Sequence, residues 1–240
     1  MQAVLLLTGT IKPFLETSKT GRANVLDREM DYYKALKFYL SKGFKVVFVE
    51  NSNYDSAKIS SLKEKFPNLE YLTFYSEKSV LGKSWGEVEI INYALENSRF
   101  LAEKDYIIKI SGRYIIKNIT AMIKGTNEVE KYFYVNPTRN LKWADTRLML
   151  MKKDFYTRYF YPNAAKFLNE EKLVFMENIF IKAVLIYLVE EGGELNLWPK
   201  YPAYDAYDGT HDERVSFNFL KILKYNIYYK VKKFVFKHRA

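Results

Sequence analysis

The chain has 240 residues, 48% of them hydrophobic, which is enough to bury the core of one enzyme-sized domain. It contains no cysteine and only two histidines, so disulfides and thiolate metal sites are excluded and a histidine-based metal site is disfavoured. The formal net charge is +10, and residues 217–240 supply +7 of it with no Asp or Glu. The body of the chain is therefore close to neutral, and the basic character belongs to a C-terminal tail.

The N-terminal segment does not have the features of an export signal. The apolar run after Gln2 is five residues long, and it lacks a positive flank and a small-residue cleavage site. No stretch reaches the roughly 18 apolar residues of a membrane span. These features predict a protein made and kept in the cytoplasm.

Short apolar runs alternate with helical patterns in the first part of the chain. Strands are predicted at 4–7, 45–49 and 69–75, and helices are predicted to begin at Asp27 and Ser56 between them. The order β-α-β-α-β is typical of a parallel sheet, whose carboxyl ends bind ligands.

The third predicted helix opens at Gly82-Lys83-Ser84. A phosphate-binding P-loop is rejected, because its first glycine should stand at Glu77 and the loop should follow the first strand. A helix N-terminus with backbone donors and a lysine remains, and this arrangement suits an anion.

Residues 105–118 contain a polar turn between two β-type runs, and we interpret this turn as the floor of a binding site. The turn carries Lys109, Ser111, Gly112 and Arg113. Two cations delivered at the end of a strand would face a bound anion, most simply phosphate. The alternative is a β-bulge at Gly112 with two solvated cations.

The second half predicts strands at 132–135 and 144–152 and an apolar helix at 174–189, buried nearly all round. This helix opens with Met176-Glu177-Asn178. A carboxylate at a helix N-terminus is stabilised by the helix dipole. It also suits a positioned general base, and the pattern alone leaves both interpretations open.

An aromatic, irregular loop is predicted at 192–209, followed by a basic tail. Apolar residues of the tail recur at three- and four-residue steps with lysines between them, which is typical of an interfacial helix on anionic lipid. Nucleic-acid binding needs similar charge, but no nucleic-acid recognition motif is present. The apolar positions are Leu220, Leu223, Ile227, Val231, Phe234 and Val235.

Four motifs occur in an order that resembles small bacterial and viral glycosyltransferases of the GT-A type, in particular the KxxGRY group of capsule and lipopolysaccharide clusters. The resemblance covers roughly residues 4–180. It implies an α/β fold with a GT-A-like mixed sheet flanked by helices. Residues 1–118 would form the nucleotide-sugar half and 119–216 the acceptor half of one domain, with 217–240 as a membrane-associating helix. The motifs are Thr8-Gly9-Thr10, Glu50-Asn51-Ser52, Gly82-Lys83 with Gly86-Glu87, and 109–114.

The same resemblance implies roles for individual residues. Typical members hold Mn²⁺ or Mg²⁺ with an Asp-x-Asp motif, but 109–113 stands in its place here. Arg113 and Lys109 are therefore expected to neutralise the donor diphosphate directly, and no divalent metal cofactor is expected. Glu177 would be the catalytic base, with Asp145 as a second candidate. The predicted donor-binding residues are Thr8, Gly9, Thr10, Glu50, Asn51, Ser52, Lys83, Glu87, Lys109 and Arg113.

These features predict an inverting, metal-independent glycosyltransferase of the hexosyltransferase type. Its partners would be a nucleotide-diphosphate sugar, a lipid-linked or oligosaccharide acceptor of surface polysaccharide, and the anionic inner face of the cell membrane; no nucleic-acid partner is expected. Two alternatives stay open. A nucleotidyltransferase would need Mg²⁺ and a carboxylate pair at one strand end, and a lipid- or nucleic-acid-binding module would need no base at Glu177.

Overall fold

The structure, a computed structural model, describes residues 3–14, 21–126, 131–217 and 219–238. The sequence also predicts a loop at 11–26 and a short helix and turn at 119–129. Residues 15–20 and 127–129 of these segments lie outside the described residues, as do 218 and 239–240 of the tail.

The main sheet has six strands in the order β3-β2-β1-β4-β9-β6. Strands β1 to β4 run parallel, whereas β9 is antiparallel to both β4 and β6, so the sheet is mixed. A second sheet has the order β11-β10-β5, and β7 pairs with β8. The strands are β1 (Val4–Gly9), β2 (Lys45–Glu50), β3 (Leu69–Thr73), β4 (Tyr106–Ser111), β5 (Ile115–Ile116), β6 (Phe133–Tyr134), β7 (Pro137–Thr138), β8 (Trp143–Ala144), β9 (Leu148–Lys152), β10 (Tyr204–Tyr207) and β11 (Arg214–Ser216).

Helices flank the main sheet. Asn24 caps the first helix by accepting from the backbone N–H of Asp27, so the helix begins before the Asp27 cap that the sequence suggests. Ser56 caps the second helix in the same way. The helices are α1 (Val25–Ser41), α2 (Ala57–Lys65), α3 (Lys83–Asn97), α4 (Arg99–Ala102), α5 (Ile119–Ile123), α6 (Lys153–Phe155) joined through a π-helical turn (Tyr156–Phe160) to α7 (Tyr161–Phe167), α8 (Met176–Glu191) and α9 (Phe219–His238).

The parallel register brings the carboxyl ends of three strands to one place. Gly9 at the end of β1 pairs with Glu50 of β2, and Thr8 pairs with Ser111 of β4. The turn after β4 also approaches β1 closely, because the Gly112 N–H donates to the Thr8 carbonyl over 2.8 Å. A Cβ on Gly112 would lie 2.6 Å from that carbonyl oxygen, so a side chain there would force the two strand ends apart.

Three parts of the sequence interpretation are corrected. The run after the polar turn, β5, leaves the main sheet and pairs with β10. The strand expected at 144–152 is interrupted: Ala144 belongs to β8, residues 145–147 form a turn, and only Leu148–Lys152 belong to β9. The segment 192–209 is not wholly irregular, since it contains β10.

The helix that begins at Met176 also differs from its prediction. Its first half is buried, but Val189 in its last turn is 85% exposed, so the helix is not buried all round.

The C-terminal helix α9 packs on the body through one face. The ring of Tyr225 stacks on Tyr201 at 4.6 Å between centroids, and the hydroxyl of buried Tyr229 donates to the Val135 carbonyl over 3.2 Å. The opposite face carries a row of exposed apolar side chains. We call it the α9 stripe, and it consists of Leu220, Leu223, Ile227, Val231 and Phe234.

Among the described residues, no helix combines the length and the apolar content that crossing a membrane would require. The mixed six-stranded sheet, its flanking helices and the C-terminal helix confirm the predicted α/β class.

Candidate active site

A cavity of about 530 Å³ opens at the carboxyl ends of β1 and β4, and we call it the main cavity. Its walls include the end of β1, helices α1 and α3, the turn after β4, the loop before β9, the start of α8 and the turn between β10 and β11. Residues from position 8 to position 210 therefore meet in one place. Open α/β sheets bind ligands at this edge.

The structure brings most of the predicted site residues together, but not all of them. Of the predicted donor-binding residues, the main cavity is lined by Thr8, Gly9, Thr10, Asn51, Lys83, Glu87 and Arg113. Of the predicted catalytic residues, it is lined by Glu177, Arg113 and Asp145. Glu50, Ser52 and Lys109 lie behind this lining.

Glu50 organises a loop behind the cavity. Its carboxylate accepts hydrogen bonds from the backbone N–H groups of Ile11 and Tyr54, both over 2.8 Å, and from the Ser52 hydroxyl. Burial raises the pKa of this carboxyl above its ordinary value, although the hydrogen bonds act in the opposite direction. A direct contact of Glu50 or Ser52 with a donor stays a prediction.

Asn51 fixes the polar wall next to that loop. The Thr10 hydroxyl donates to its side-chain oxygen over 2.6 Å, and its amide nitrogen donates to the Ser79 hydroxyl over 3.1 Å. The amide orientation is thus set by two partners, so Asn51 presents a defined edge to the cavity.

Lys109 is completely buried beneath the cavity floor. Its ammonium forms a salt bridge with Glu87 and donates to the Thr146 carbonyl over 2.8 Å and the Ser111 hydroxyl over 3.3 Å. An ammonium has three N–H donors, so these partners use all of them. Lys109 can act on a bound anion through its charge, but it has no hydrogen bond left to donate.

Arg113, in contrast, has donors to spare. Its Nη1 atom is buried and has no hydrogen-bond partner, and its guanidinium forms no salt bridge with any described residue. The guanidinium carbon lies 5.9 Å from the centre of the Tyr32 ring. A buried donor without a partner is costly and uncommon, and it often marks a place where a ligand binds.

Two further cations line the main cavity near Arg113. Burial lowers the pKa of the Arg28 guanidinium, and the charge of Arg113 lowers it further. Burial also lowers the pKa of the Lys83 ammonium; Glu170 opposes this effect, while Arg28 and Arg113 add to it. The three groups therefore repel one another, and a bound anion would relieve that repulsion.

Asp145 is held by Arg147 at the opposite wall. The guanidinium donates from Nε and Nη2 to the two carboxylate oxygens over 2.9 and 2.8 Å, and the Tyr204 hydroxyl adds a third hydrogen bond over 3.2 Å. Burial would raise the pKa of this carboxyl, but the charge and hydrogen bonds of Arg147 outweigh burial and lower it. Asp145 is therefore a firmly ionised, paired carboxylate.

Glu177 has a different environment, although it lines the same cavity. The Thr146 hydroxyl donates to its carboxylate over 3.0 Å, and it forms no salt bridge with the described residues. Burial is the main cause of the raised pKa of Glu177, and the negative charge of Glu87 adds to it. Glu177 stands in the first turn of α8, whose N-terminal dipole faces it.

Asn178 has a structural role at the same helix end. Its side-chain oxygen accepts from the backbone N–H of Phe175 over 3.0 Å, and its amide donates to the Lys142 carbonyl over 2.8 Å. These two hydrogen bonds give the Asn178 amide a structural role next to Glu177.

Two segments that are far apart in sequence, the loop after β1 and the turn between β10 and β11, meet at one edge of the cavity, which we call its mouth. Arg22, in the loop before α1, forms salt bridges with Asp31 over 2.6 Å and with Asp212 over 2.8 Å. The Asp208 carboxylate in the β10–β11 turn accepts from the Tyr114 hydroxyl over 3.0 Å. The loop after β1 and the β10–β11 hairpin are thereby joined.

Sequence reasoning missed several lining residues. Thr146 and Arg147 follow the predicted Asp145, but the sequence predicts a strand at these positions and gives the two residues no role in the site. Arg28 and Asp208 carry no local motif, and only the folded chain brings them to the cavity.

The described residues contain no group of three or more His, Asp or Glu side chains arranged to share a metal ion. Two of the carboxylates that line the main cavity are already neutralised, Glu87 by Lys109 and Asp145 by Arg147.

No protein-family model and no curated protein matches this sequence. Among solved structures, the chain is similar to the inositol-1-phosphate CTP transferase from T. maritima, with a TM-score of 0.50 and 14% identity over 97% of this chain and 98% of that chain. It is also similar to the galactosyltransferase LgtC in complex with donor and acceptor sugar analogs, with a TM-score of 0.49 and 8% identity over 74% and 69% of the chains. A third similar structure is a putative nucleotide-diphospho-sugar transferase from Desulfovibrio desulfuricans G20, with a TM-score of 0.42 and 10% identity over 78% of this chain and 76% of that chain.

The first of these likenesses extends over nearly all of both chains. At this identity it concerns the fold and leaves the activity open. It shows that the chain shares the α/β fold of that transferase, and the α/β class with a mixed sheet is the one that the sequence predicts.

Proposed function

We propose that the protein transfers a sugar from a nucleotide-diphosphate sugar to an acceptor hydroxyl. One observation carries the proposal: the main cavity combines Arg113, whose buried Nη1 has no hydrogen-bond partner, with Glu177, a carboxyl of raised pKa. The other charged groups of the floor and far wall, Glu87 and Asp145, are paired off. Arg113 and Glu177 are the two kinds of group that a sugar transfer needs, a cation for the leaving diphosphate and a carboxylate base.

The donor diphosphate would lie against the cluster of Arg28, Lys83 and Arg113. Negative charge develops on the leaving diphosphate as the bond to the sugar breaks, and preorganised donors in a partly dry cavity stabilise that charge. Arg113 supplies free N–H groups, whereas Lys109 contributes only its buried charge.

Glu177 would act as the general base. The acceptor hydroxyl gives its proton to the carboxylate, its oxygen attacks the anomeric carbon, and the bond from that carbon to the diphosphate breaks. One displacement of this kind inverts the anomeric configuration. A carboxylate whose pKa is raised toward neutrality is a better base than an ordinary one. The low pKa and the ion pair of Asp145 make it the weaker candidate.

We also propose that the reaction needs no divalent metal, because Arg28, Lys83 and Arg113 would neutralise the charge of the donor diphosphate. The proposal also includes a membrane surface as the place of work. The α9 stripe is exposed, lysines flank it, and the helix carries no acidic residue. An acceptor of surface-polysaccharide type on a lipid carrier, at the cytoplasmic face, fits such a location.

Ligand-induced thermal stabilisation tests the donor site directly. The full chain is heated with a panel of nucleoside diphosphates and nucleotide sugars, each in EDTA and in Mn²⁺, and Arg113→Ala is run in parallel. We expect one nucleotide or its sugar to raise Tm in EDTA in the wild type, and to do so much less in Arg113→Ala. Stabilisation only with Mn²⁺ would contradict metal independence, and no response to any nucleotide would favour a non-catalytic binding module.

A nucleotidyltransferase is the second candidate, and the fold likeness over 97% of the chain favours it. Such an enzyme would accept a nucleoside triphosphate and release pyrophosphate. Incubation with CTP, UTP or GTP, Mg²⁺ and a panel of sugar phosphates would then produce pyrophosphate, and Tm would respond to triphosphates rather than to nucleotide sugars.

A further inference from the structure

A second, smaller cavity of about 420 Å³ lies between the C-terminus of α7 and the first turns of α8. Three lysines line it, Lys166, Lys172 and Lys182, and we call it the lysine cavity. Phe167 lies among them, and its side chain is partly exposed. Neither the nucleotide nor the proposed chemistry uses this cavity.

The lysine cavity carries positive charge without an acidic counterpart. No Asp or Glu lines it, and none of its three lysines forms a salt bridge with the described residues. Glu170 lies in the connecting loop but is used elsewhere, since its carboxylate accepts from the backbone N–H of Ser84 over 2.6 Å. Three like charges around one concave surface attract an anion with more than one negative charge.

The same cavity has an apolar side. The Lys182 ammonium lies 3.4 Å from the centre of the Phe167 ring, and the Lys166 ammonium lies 5.2 Å from it. Ile179 and Val174 add aliphatic surface. The cavity therefore suits a ligand with an anionic head and an apolar chain, and a bare inorganic anion would leave the apolar side unused.

The position of the lysine cavity relates it to the main cavity. Asn178 lines the lysine cavity, and its neighbour Glu177 lines the main cavity. The Cα atoms of adjacent residues are about 3.8 Å apart, so the first turn of α8 separates the two cavities. A single molecule could reach both around that turn.

We propose that the lysine cavity binds the phosphate or diphosphate ester of the acceptor, with the ester's apolar chain on Phe167. The acceptor hydroxyl then lies at Glu177. The role as acceptor rests on the proposed function, whereas the binding of an alkyl phosphate ester does not. The site thus assigns the acceptor to the class of sugar esters of lipid phosphates.

Binding of decyl diphosphate, below its micelle concentration, tests this proposal in the full-length protein by isothermal titration calorimetry. The variant Lys166→Gln/Lys172→Gln/Lys182→Gln removes the site. The matched control Lys34→Gln/Lys37→Gln/Lys63→Gln removes the same charge from exposed positions on α1 and α2. We expect the site variant to bind about tenfold or more weakly than wild type, as for the loss of several partly exposed charge contacts, and the control to bind like wild type.

Two comparison ligands separate the possible sources of the signal. Inorganic pyrophosphate should bind much more weakly than decyl diphosphate; equal binding would overturn the role of the apolar side. If both triple variants bound decyl diphosphate equally weakly, the net charge of the protein would explain the effect, and the proposed site would be overturned. A third outcome would also overturn the site: the wild type does not bind monomeric decyl diphosphate, and the site variant loses only its binding to anionic vesicles. The lysines would then form a membrane-contacting surface. Nucleotide-induced stabilisation, measured on the same samples, reports on the donor site independently.

Discussion

The Thr146 hydroxyl donates a hydrogen bond to the Glu177 carboxylate over 3.0 Å, while the carbonyl of Thr146 accepts from the ammonium of Lys109 over 2.8 Å. Thr146 thus connects a fully buried cation to the carboxyl that we propose as the base. It touches no reacting atom in the proposed reaction, so it is a positioning residue. A substitution of Thr146 therefore changes the ionisation of Glu177 without removing a group that contacts the substrate.

Replacing Thr146 by Val should raise the pKa of Glu177 further, because the lost hydrogen bond favours the ionised carboxylate. Since the ionised form is the base, the acid limb of kcat/KM should move to higher pH by about one unit, as for a charge-assisted bond worth about 1.4 kcal/mol. Thr146→Ser keeps the hydroxyl and should restore the wild-type profile. Superimposable pH profiles for all three proteins would refute the connection.

Glu177→Gln should abolish turnover, with a loss of about 10²- to 10⁴-fold in kcat, and leave nucleotide binding intact. The substitution should not destabilise the fold. The folded-state pKa of Glu177 lies above its ordinary value of 4.5, so the stability contributed by this carboxyl falls as pH rises through the window between the two values. Above that window Gln removes the cost, and Tm at pH 8 should equal or exceed that of wild type.

The control for this substitution is Glu171→Gln, at an exposed loop position, which should change neither turnover nor Tm. A silent Glu177→Gln would remove this residue from the mechanism and favour the binding-module interpretation.

Arg113→Ala should reduce kcat/KM by about 10²- to 10³-fold, as for the loss of one preorganised donor, or roughly 3 kcal/mol. Because the buried Nη1 has no hydrogen-bond partner, its removal breaks no hydrogen bond, and the unfolding free energy should hardly change. A large loss of stability on denaturant unfolding would mean that Arg113 is structural.

Arg147→Ala provides the contrast, since this residue holds Asp145 by two hydrogen bonds. Its removal leaves a mostly buried carboxylate unpaired, and we expect a loss of about 3 kcal/mol in the unfolding free energy. Equal stability of the two Arg variants would contradict the assignment of one as a ligand-binding and the other as a structural cation.

The α9 stripe offers a test of membrane association that leaves the fold intact. Leu223→Glu together with Ile227→Glu and Val231→Glu should release the full-length protein from vesicles containing anionic lipid, because three exposed apolar side chains are replaced by charges. Tm should change little. Unchanged co-sedimentation with vesicles would contradict the membrane proposal.

Deleting 217–240 would be a poorer experiment. Tyr225 and Tyr229 pack against the body, so deletion would uncover Tyr201 and leave the Val135 carbonyl without its partner. The division of the chain at 216 stays a prediction, and α9 is best altered only on its exposed face.

Hydrophobic periodicity predicted the parts of the fold that depend on local pattern. Strands β1 to β3, the helices between them and their parallel arrangement follow from short buried runs between capped helices. Pairing between distant segments was not predictable, because a two-residue strand such as β5 carries no signal of its partner. Ile115 and Ile116 continue the strand pattern of β4, yet they pair with β10 some 90 residues later.

The candidate site divides in the same way. A cation at a strand end predicts an anion site, and both Lys109 and Arg113 satisfied that pattern. Only the folded chain determines which of the two cations faces the cavity. Glu87 of α3 forms a salt bridge with Lys109 and holds its ammonium beneath the cavity floor. The same holds for two other carboxylates. Glu50 accepts hydrogen bonds from backbone N–H groups and Asp145 from the Arg147 guanidinium, and the positions of these donors are defined only in the folded loops.

The joining of Arg22 to Asp212 spans 190 positions of the chain. During synthesis the loop after β1 leaves the ribosome early, and the hairpin that completes the cavity mouth emerges only near the end. Contacts so distant in sequence carry the largest loop-closure entropy and form late in folding. We therefore expect a nascent chain to acquire its sheet well before its main cavity is complete. Hydrogen exchange should also find the mouth, held by partly exposed ion pairs, opening at lower free energy than β1 and β4.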